Sequence, residues 1–189
     1  MFNKDNFIQA CIAGVAEGPG AIRAIMEEAV ADGAGILAEL GEPRHAGIQP
    51  IFRSNDLTII NFVWAPCMNL LPHNHQMFSV IGIYSGREDN VFWRRNEASI
   101  EAMGAKSLGK GDVATLGSEI IHSVLNPLEK MTCAIHVYGG DFFQPAQPRS
   151  EWDHETLIER PWNIDTVKAT FAEAEARFTT YNNRTRDLK

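Results

Sequence analysis

The sequence predicts a mainly β fold, a barrel of short strands wrapped by helices at its two ends, and three observations carry that expectation. From about residue 50 to residue 140 the chain breaks into short runs rich in Ile, Val, Phe, Thr and Trp, separated by Gly, Asn, Asp and Pro, a texture that suits a sandwich or barrel. Before that stretch the apolar residues recur at helical spacing. Beyond Gly139-Gly140 a Pro-rich loop leads into a last helical stripe.

Taken in order, residues 1–41 read as a helical N-terminal segment. Ile22, Ile25, Met26, Ala29 and Val30 follow the i, i+3, i+4, i+7 pattern of one buried helix face. Gly18-Pro19-Gly20 opens that helix, and Gly33 and Gly35 punctuate its far end. Glu42-Pro43 marks the change of texture, and the barrel core is expected over about 48–141. Its best strands are Leu57 to Trp64, Met77 to Tyr84, Val91 to Arg94, Asp112 to Leu116, Ile120 to Leu125 and Met131 to Tyr138. The C-terminal tail, 150–189, carries a helix over roughly Asp165 to Phe178, with Val167, Phe171, Ala174 and Phe178 on one stripe. A chain of 189 residues without internal repeats fits one domain, 1–189, with a core that needs no staples.

Charge and cysteine content narrow the partners. Seventeen basic residues against 24 acidic ones leave a net charge of −7, which argues against nucleic acid or an anionic membrane as a partner. Small acidic substrates stay open, because one pocket arginine outweighs a diffuse surface field. The three cysteines, Cys11, Cys67 and Cys133, are far apart and lack CxxC spacing. A disulfide framework is therefore not expected, and a reducing cytoplasm is the natural setting. The N-terminus lacks a basic region followed by an apolar run, and no stretch approaches membrane-spanning length.

The chemistry concentrates at Pro72-His73-Asn74-His75. Residues i and i+2 of an extended segment point to one face, so His73 and His75 can aim nitrogens at a common point. His122 follows 47 residues after His75 as a third candidate. No third ligand of the carboxylate type stands where one would be expected, which makes a neutral three-histidine metal site the arrangement to test.

These surroundings resemble both motifs of the cupin superfamily. The first is a glycine, five residues, HxH, three or four residues, a glutamate, six residues and a glycine. His73, His75 and Gly86 fall in place, while Cys67 replaces the first glycine and Ser79 the glutamate. In the second motif Gly111, His122 and Asn126 match, with Gly117 and Glu119 in place of its Pro and Gly. The resemblance implies the cupin double-stranded β-helix, a jelly-roll barrel with flanking N- and C-terminal helices. Loss of the glutamate narrows it to the thiol dioxygenases, whose Ser-x-His-x-Tyr strand is similar to Ala134-Ile135-His136-Val137-Tyr138. Trp64 also falls where cysteine dioxygenase-like sequences carry a tryptophan. Ile81 to Asn90 and His136 to Asp141 resemble the bacterial branch, and the similarity covers approximately Ile51 to Asp141.

That resemblance implies one mononuclear Fe(II) held by His73, His75 and His122, with Tyr138 and His136 as the catalytic relay. Its substrates would be O2 and a small thiol acid, cysteine or a 3-mercaptopropionate-like compound, oxidised to the sulfinate. Three neutral imidazoles leave the metal electron-poor, so a substrate thiolate can supply the missing charge; zinc would bind the same trio. Ala134 removes the outermost member of the relay, and Ser79 rules out the thioether crosslink that animal cysteine dioxygenases form from a cysteine at that position. A thiol acid calls for a carboxylate clamp, and the planar fork of an arginine suits it. Arg53, in Phe52-Arg53-Ser54-Asn55, resembles the family's arginine segment; Arg87, Arg94 and Arg95 follow the hairpin turn and face solvent or form a different anion site. Edge strands of such barrels often pair, so a homodimer is the assembly implied. Two other readings stay open here, a cupin dioxygenase that cleaves carbon–carbon bonds and a metal-binding cupin that senses or binds a ligand.

Overall fold

The computed structural model describes residues 1–186, with side chains as far as residue 179. Its N-terminal segment is helical, as the periodicity predicts, but divides into three helices. Helix α1 spans Lys4–Gly14 and starts where the Asn3 side chain accepts from the Asn6 N–H at 2.9 Å, satisfying a donor that the first turn leaves free. A short 3-10 turn leads to α2, Pro19–Ala31, with its proline in the first turn, where a missing N–H costs nothing. Asp32 then caps α3, Gly33–Leu40, by accepting from the Gly35 N–H at 3.0 Å.

Eleven strands follow: β1 Gly47–Arg53, β2 Thr58–Trp64, β3 Asn69–Asn74, β4 Ser79–Ser85, β5 Arg87–Arg95, β6 Ile100–Gly109, β7 Val113–Leu116, β8 Ile121–Leu125, β9 Thr132–Tyr138, β10 Ser150–Trp152 and β11 Glu159–Pro161. One sheet has the order β1-β2-β9-β4-β7, the other β11-β10-β3-β8-β5-β6, and their pairings are antiparallel. Strands β2 to β9 thus divide as 2-9-4-7 and 3-8-5-6, the jelly-roll order of two Greek keys. This is the double-stranded β-helix of the cupin fold. Helix α4, Ile164–Arg186, ends the described chain.

Burial explains why the first sheet carries apolar residues without alternation. Every residue of β2 and of β9 is buried, because the barrel interior covers one face and the N-terminal helices cover the other. Ile59, Val63, Val80, Ile135 and Val137 pack with Ile22, Met26 and Val30 of α2. Ile60, Phe62, Trp64 and Tyr138, two apart on their strands, point the opposite way and pack with Val167, Phe171 and Ala174 of α4. Helix and sheet approach closely at Gly82, where an added Cβ would lie 2.5 Å from Met26 Sδ and 2.7 Å from Val30 Cγ1. Gly86, between β4 and β5, has φ of +82° and sits against Thr132, a turn that a side chain would both strain and block.

The structure departs from the sequence expectation in three places. Strand β3 ends at Asn74, so His75 lies one residue beyond the strand, before Gln76 at φ +56°. Strand β6 is a ten-residue partner of β5 although its Glu101 to Ser107 stretch is exposed and poor in β-branched residues; backbone pairing to β5 supplies what propensity does not. The tail also contributes β10 and β11 before its helix, and β10 joins the second sheet through the pairing of Glu151 with His73.

Candidate metal centre

Strands β3 and β8 place His73 directly opposite His122, and the turn after β3 swings His75 toward the same point. Nε2 of His75 lies 3.2 Å from Nε2 of His73 and 3.3 Å from Nε2 of His122. All three rings are buried, and they are the one group of three metal-ligating side chains among the described residues. Two donors about 2.1 Å from one ion, at angles between octahedral and tetrahedral, stand roughly 3.0–3.4 Å apart, so the spacing fits a single metal ion.

The outer nitrogens settle the tautomers. Nδ1 of His73 donates to the Leu71 carbonyl at 2.9 Å, and Nδ1 of His122 donates to Asn90 Oδ1 at 2.7 Å. Each ring therefore carries its proton on Nδ1 and turns a lone pair on Nε2 toward the centre, the arrangement in which outer partners orient metal ligands. Burial and then the Arg149 charge lower His73 to about 3. Burial, followed by the neighbouring imidazoles and Arg149, holds His75 and His122 well below the usual imidazole range. Neutral imidazole is the form that binds a metal.

The relay residues of the sequence reading are here too. Tyr138 packs edge-on to His75 with ring centroids 5.0 Å apart, and its hydroxyl lies 3.1 Å from Nδ1 of His136. Burial raises the Tyr138 phenol well above its ordinary range, and the Arg149 charge opposes that rise. Ser79 pairs in register with Tyr138 across β4 and β9, and its buried hydroxyl has no hydrogen-bond partner among the described residues. Phe62, Trp64, Leu70, Val124, Phe142, Trp162 and Val167 complete an aromatic and aliphatic wall around the three histidines, His136 and Tyr138. The enclosed cavity is only about 10 Å³, the space of one small ion or water.

Arg53 is not part of this assembly. Its guanidinium makes a bidentate pair with Asp141, at 2.9 and 2.8 Å, on a half-exposed surface, and it stacks at 5.1 Å on Phe143. Nε and one Nη are thus engaged with Asp141, and Arg53 is not among the residues that line the histidine cavity. Arg87, Arg94 and Arg95 likewise pair with Asp89, Glu101 and Glu159 at the surface.

A buried arginine whose charge acts on all three histidines is Arg149, which the sequence reading passed over within a Pro-rich loop. It is 5% exposed. Nε donates to the Asn74 carbonyl at 2.9 Å and Nη1 to the Phe142 carbonyl at 3.1 Å, while Nη2 is buried without a partner among the described residues. The guanidinium lies 3.8 Å from the centroid of the Trp162 ring and 4.5 Å from that of Phe142. Burial lowers it to about 10, opposed by Tyr138 and Glu151. Only its place after two prolines, just before a short strand, could have hinted at a buried role.

No family model matches the chain, and no curated protein matches it. Solved structures do show a likeness. An RmlC-like cupin family protein with a double-stranded β-helix fold from Methanocaldococcus jannaschii aligns at TM-score 0.46 and 9% identity, over 53% of this chain and 85% of that one. A conserved protein with a double-stranded β-helix domain from Klebsiella pneumoniae aligns at TM-score 0.42 and 11% identity, over 65% and 88%. Oxalate decarboxylase from Bacillus subtilis aligns at TM-score 0.42 and 17% identity, over 52% of this chain and 24% of the enzyme. The chain thus spans about a quarter of the length of the decarboxylase. Likenesses of this depth say nothing of activity. Among the described residues no helix is long and apolar enough to cross a membrane.

Proposed function

We propose that the chain is a thiol dioxygenase, with one ferrous ion held by His73, His75 and His122, that oxidises a small thiol acid to its sulfinate. The observation that carries this reading is three buried imidazoles whose Nε2 atoms converge without a carboxylate among the described residues, under the charge of buried Arg149. A neutral ligand set favours a substrate that brings its own negative charge, as a thiolate does. Bound there, iron would supply the redox chemistry by which both atoms of dioxygen pass to the sulfur. The reaction balances as RSH plus O2 giving RSO2H, with sulfur losing the four electrons that dioxygen gains.

Each residue has a definable task in that reaction. Arg149, fixed by two carbonyls and two aromatic rings, offers Nη2 to the substrate carboxylate, and a charge-assisted bond in so dry a site is stronger than at a surface. Tyr138 orients the reacting sulfur and oxygen from beside His75. The aromatic wall keeps water out.

The size of the cavity favours one rival, a cupin that holds a metal without turning over a thiol, because 10 Å³ admits no thiol acid unless the wall moves. An oxygen electrode separates the two. Iron-loaded protein with cysteine or 3-mercaptopropionate is expected to consume one O2 per sulfinate formed, measured by mass spectrometry. Disulfide as the sole product across a panel of small thiols would remove the dioxygenase reading and leave the metal-binding one.

A further inference from the structure

A buried chain of polar groups runs from Tyr138 to His122, and it centres on Glu88, a residue that no motif singles out. Glu88 and Asn90 are alternate residues of β5, and their side chains point inward while Arg87 and Asp89 point out. Glu88 is 0% exposed. One of its carboxylate oxygens accepts from Asn90 Nδ2 at 3.0 Å, and the other lies 3.4 Å from Nε2 of His136. Among the described residues His136 is the one basic side chain within reach of that carboxylate. Ala134, the neighbour of His136 on the same face of β9, has no polar atom to offer; Glu88 meets that imidazole from the opposite sheet.

We infer that Glu88 is a positioning residue that sets the direction of every hydrogen bond in this chain. A carboxylate only accepts. Asn90 must therefore turn its N–H groups toward Glu88 and its oxygen toward His122, which holds the proton of that ring on Nδ1 and leaves Nε2 for the metal. On the other side a neutral His136 carries its proton on Nε2, where the carboxylate accepts it, and its Nδ1 is an acceptor. The Tyr138 hydroxyl then donates to Nδ1 of His136 and offers the cavity only lone pairs. Resting on the dioxygenase reading, one consequence for substrate follows. Tyr138 receives a hydrogen bond from a protonated substrate group, such as an ammonium, and gives none.

Glu88→Gln tests this with little change in shape. Its amide oxygen still accepts from Asn90, so His122 and the metal are undisturbed. Its amide N–H now faces Nε2 of His136, which must move its proton to Nδ1 and donate to Tyr138. Nitrogen-15 NMR of imidazole-labelled, zinc-loaded protein reads both states, with the His136 signals assigned by their loss in His136→Gln. The expected result is the Nε2–H tautomer in the natural protein and the Nδ1–H tautomer in Glu88→Gln, with equal zinc content. An Nδ1–H tautomer in the natural protein overturns the inference without any variant, and so does an unchanged tautomer in a folded Glu88→Gln protein. The zinc form needs no turnover, so failure of every thiol as substrate would sink the dioxygenase reading and leave the tautomer result intact. If thiols are oxidised, Glu88→Gln is expected to lower kcat at least tenfold with little change in KM. Loss through KM alone would count against the role at Tyr138.

Discussion

Oδ1 of Asn90 stands 2.7 Å from Nδ1 of His122, and this contact decides which nitrogen of the ring faces the other two histidines. An imidazole freed from its outer partner can rotate or shift its proton, and both changes weaken a ligand. Asn90→Ala is therefore expected to lower metal affinity about 10–100-fold while all three histidines remain. Competition with a coloured chelator would measure it. Affinity equal to that of the natural protein would mean that the barrel packing alone orients His122.

The two arginines make opposite predictions. Arg149→Lys keeps a charge but loses the planar fork and the stack on Trp162, so apparent affinity for 3-mercaptopropionate is expected to fall at least tenfold. Cysteamine, a thiol without a carboxylate, should respond far less. Arg53→Lys, which touches the pair with Asp141 and the stack on Phe143 at the surface, is expected to shift neither thiol. Equal weakening of both thiols by Arg149→Lys, with normal metal content, would make Arg149 a packing residue.

The histidine trio was legible in the sequence because one local pattern, two imidazoles two apart after a proline, coincides with one spacing to His122. The barrel was legible for a similar reason, since the runs from Leu57 to Tyr138 have a period of two or none, and both mean strands. Arg149 was hidden because nothing local buries it; it is brought inward when β10 pairs with β3 and Trp162 folds over its guanidinium. Glu88 was hidden by its neighbours. Arg87-Glu88-Asp89 reads as a solvated charge run, and only the pleat of β5 separates the one inward carboxylate from the two outward charges. The surface pairing of Arg53 was hidden for the converse reason, since its partner, Asp141, is distant in sequence. Strand β6 escaped because its residues lack β-propensity and its pairing is imposed by β5.

The buried neutral imidazoles give the metal-free protein a definite pH response. His73 is lowered to about 3, and His75 and His122 are lowered as well, whereas the unfolded chain binds these protons near pH 6.5. Between those values the unfolded state holds more protons than the folded one, so stability is full above pH 6.5 and falls as the pH drops. Each imidazole contributes up to about 1.4 kcal/mol per pH unit. Urea unfolding of chelator-treated protein from pH 7.5 to 4.5 is expected to show the midpoint falling with pH. A flat midpoint across that range would mean that the three rings accept protons in the folded state.

Tyr138→Phe removes one hydroxyl from a ring that stays packed against His75 and Phe142. Its removal leaves Nδ1 of His136 buried without its partner at 3.1 Å, a cost of about 1–3 kcal/mol in stability. If the hydroxyl also orients the reacting groups, transition-state stabilisation falls by about 1–4 kcal/mol, a loss in kcat that thermal stability does not track. The two effects separate under stabilising conditions. With sulfate or sucrose restoring the folded fraction, the loss of stability is compensated and the loss of turnover remains. Full recovery of turnover under those conditions would place Tyr138 in the barrel core and remove it from the chemistry.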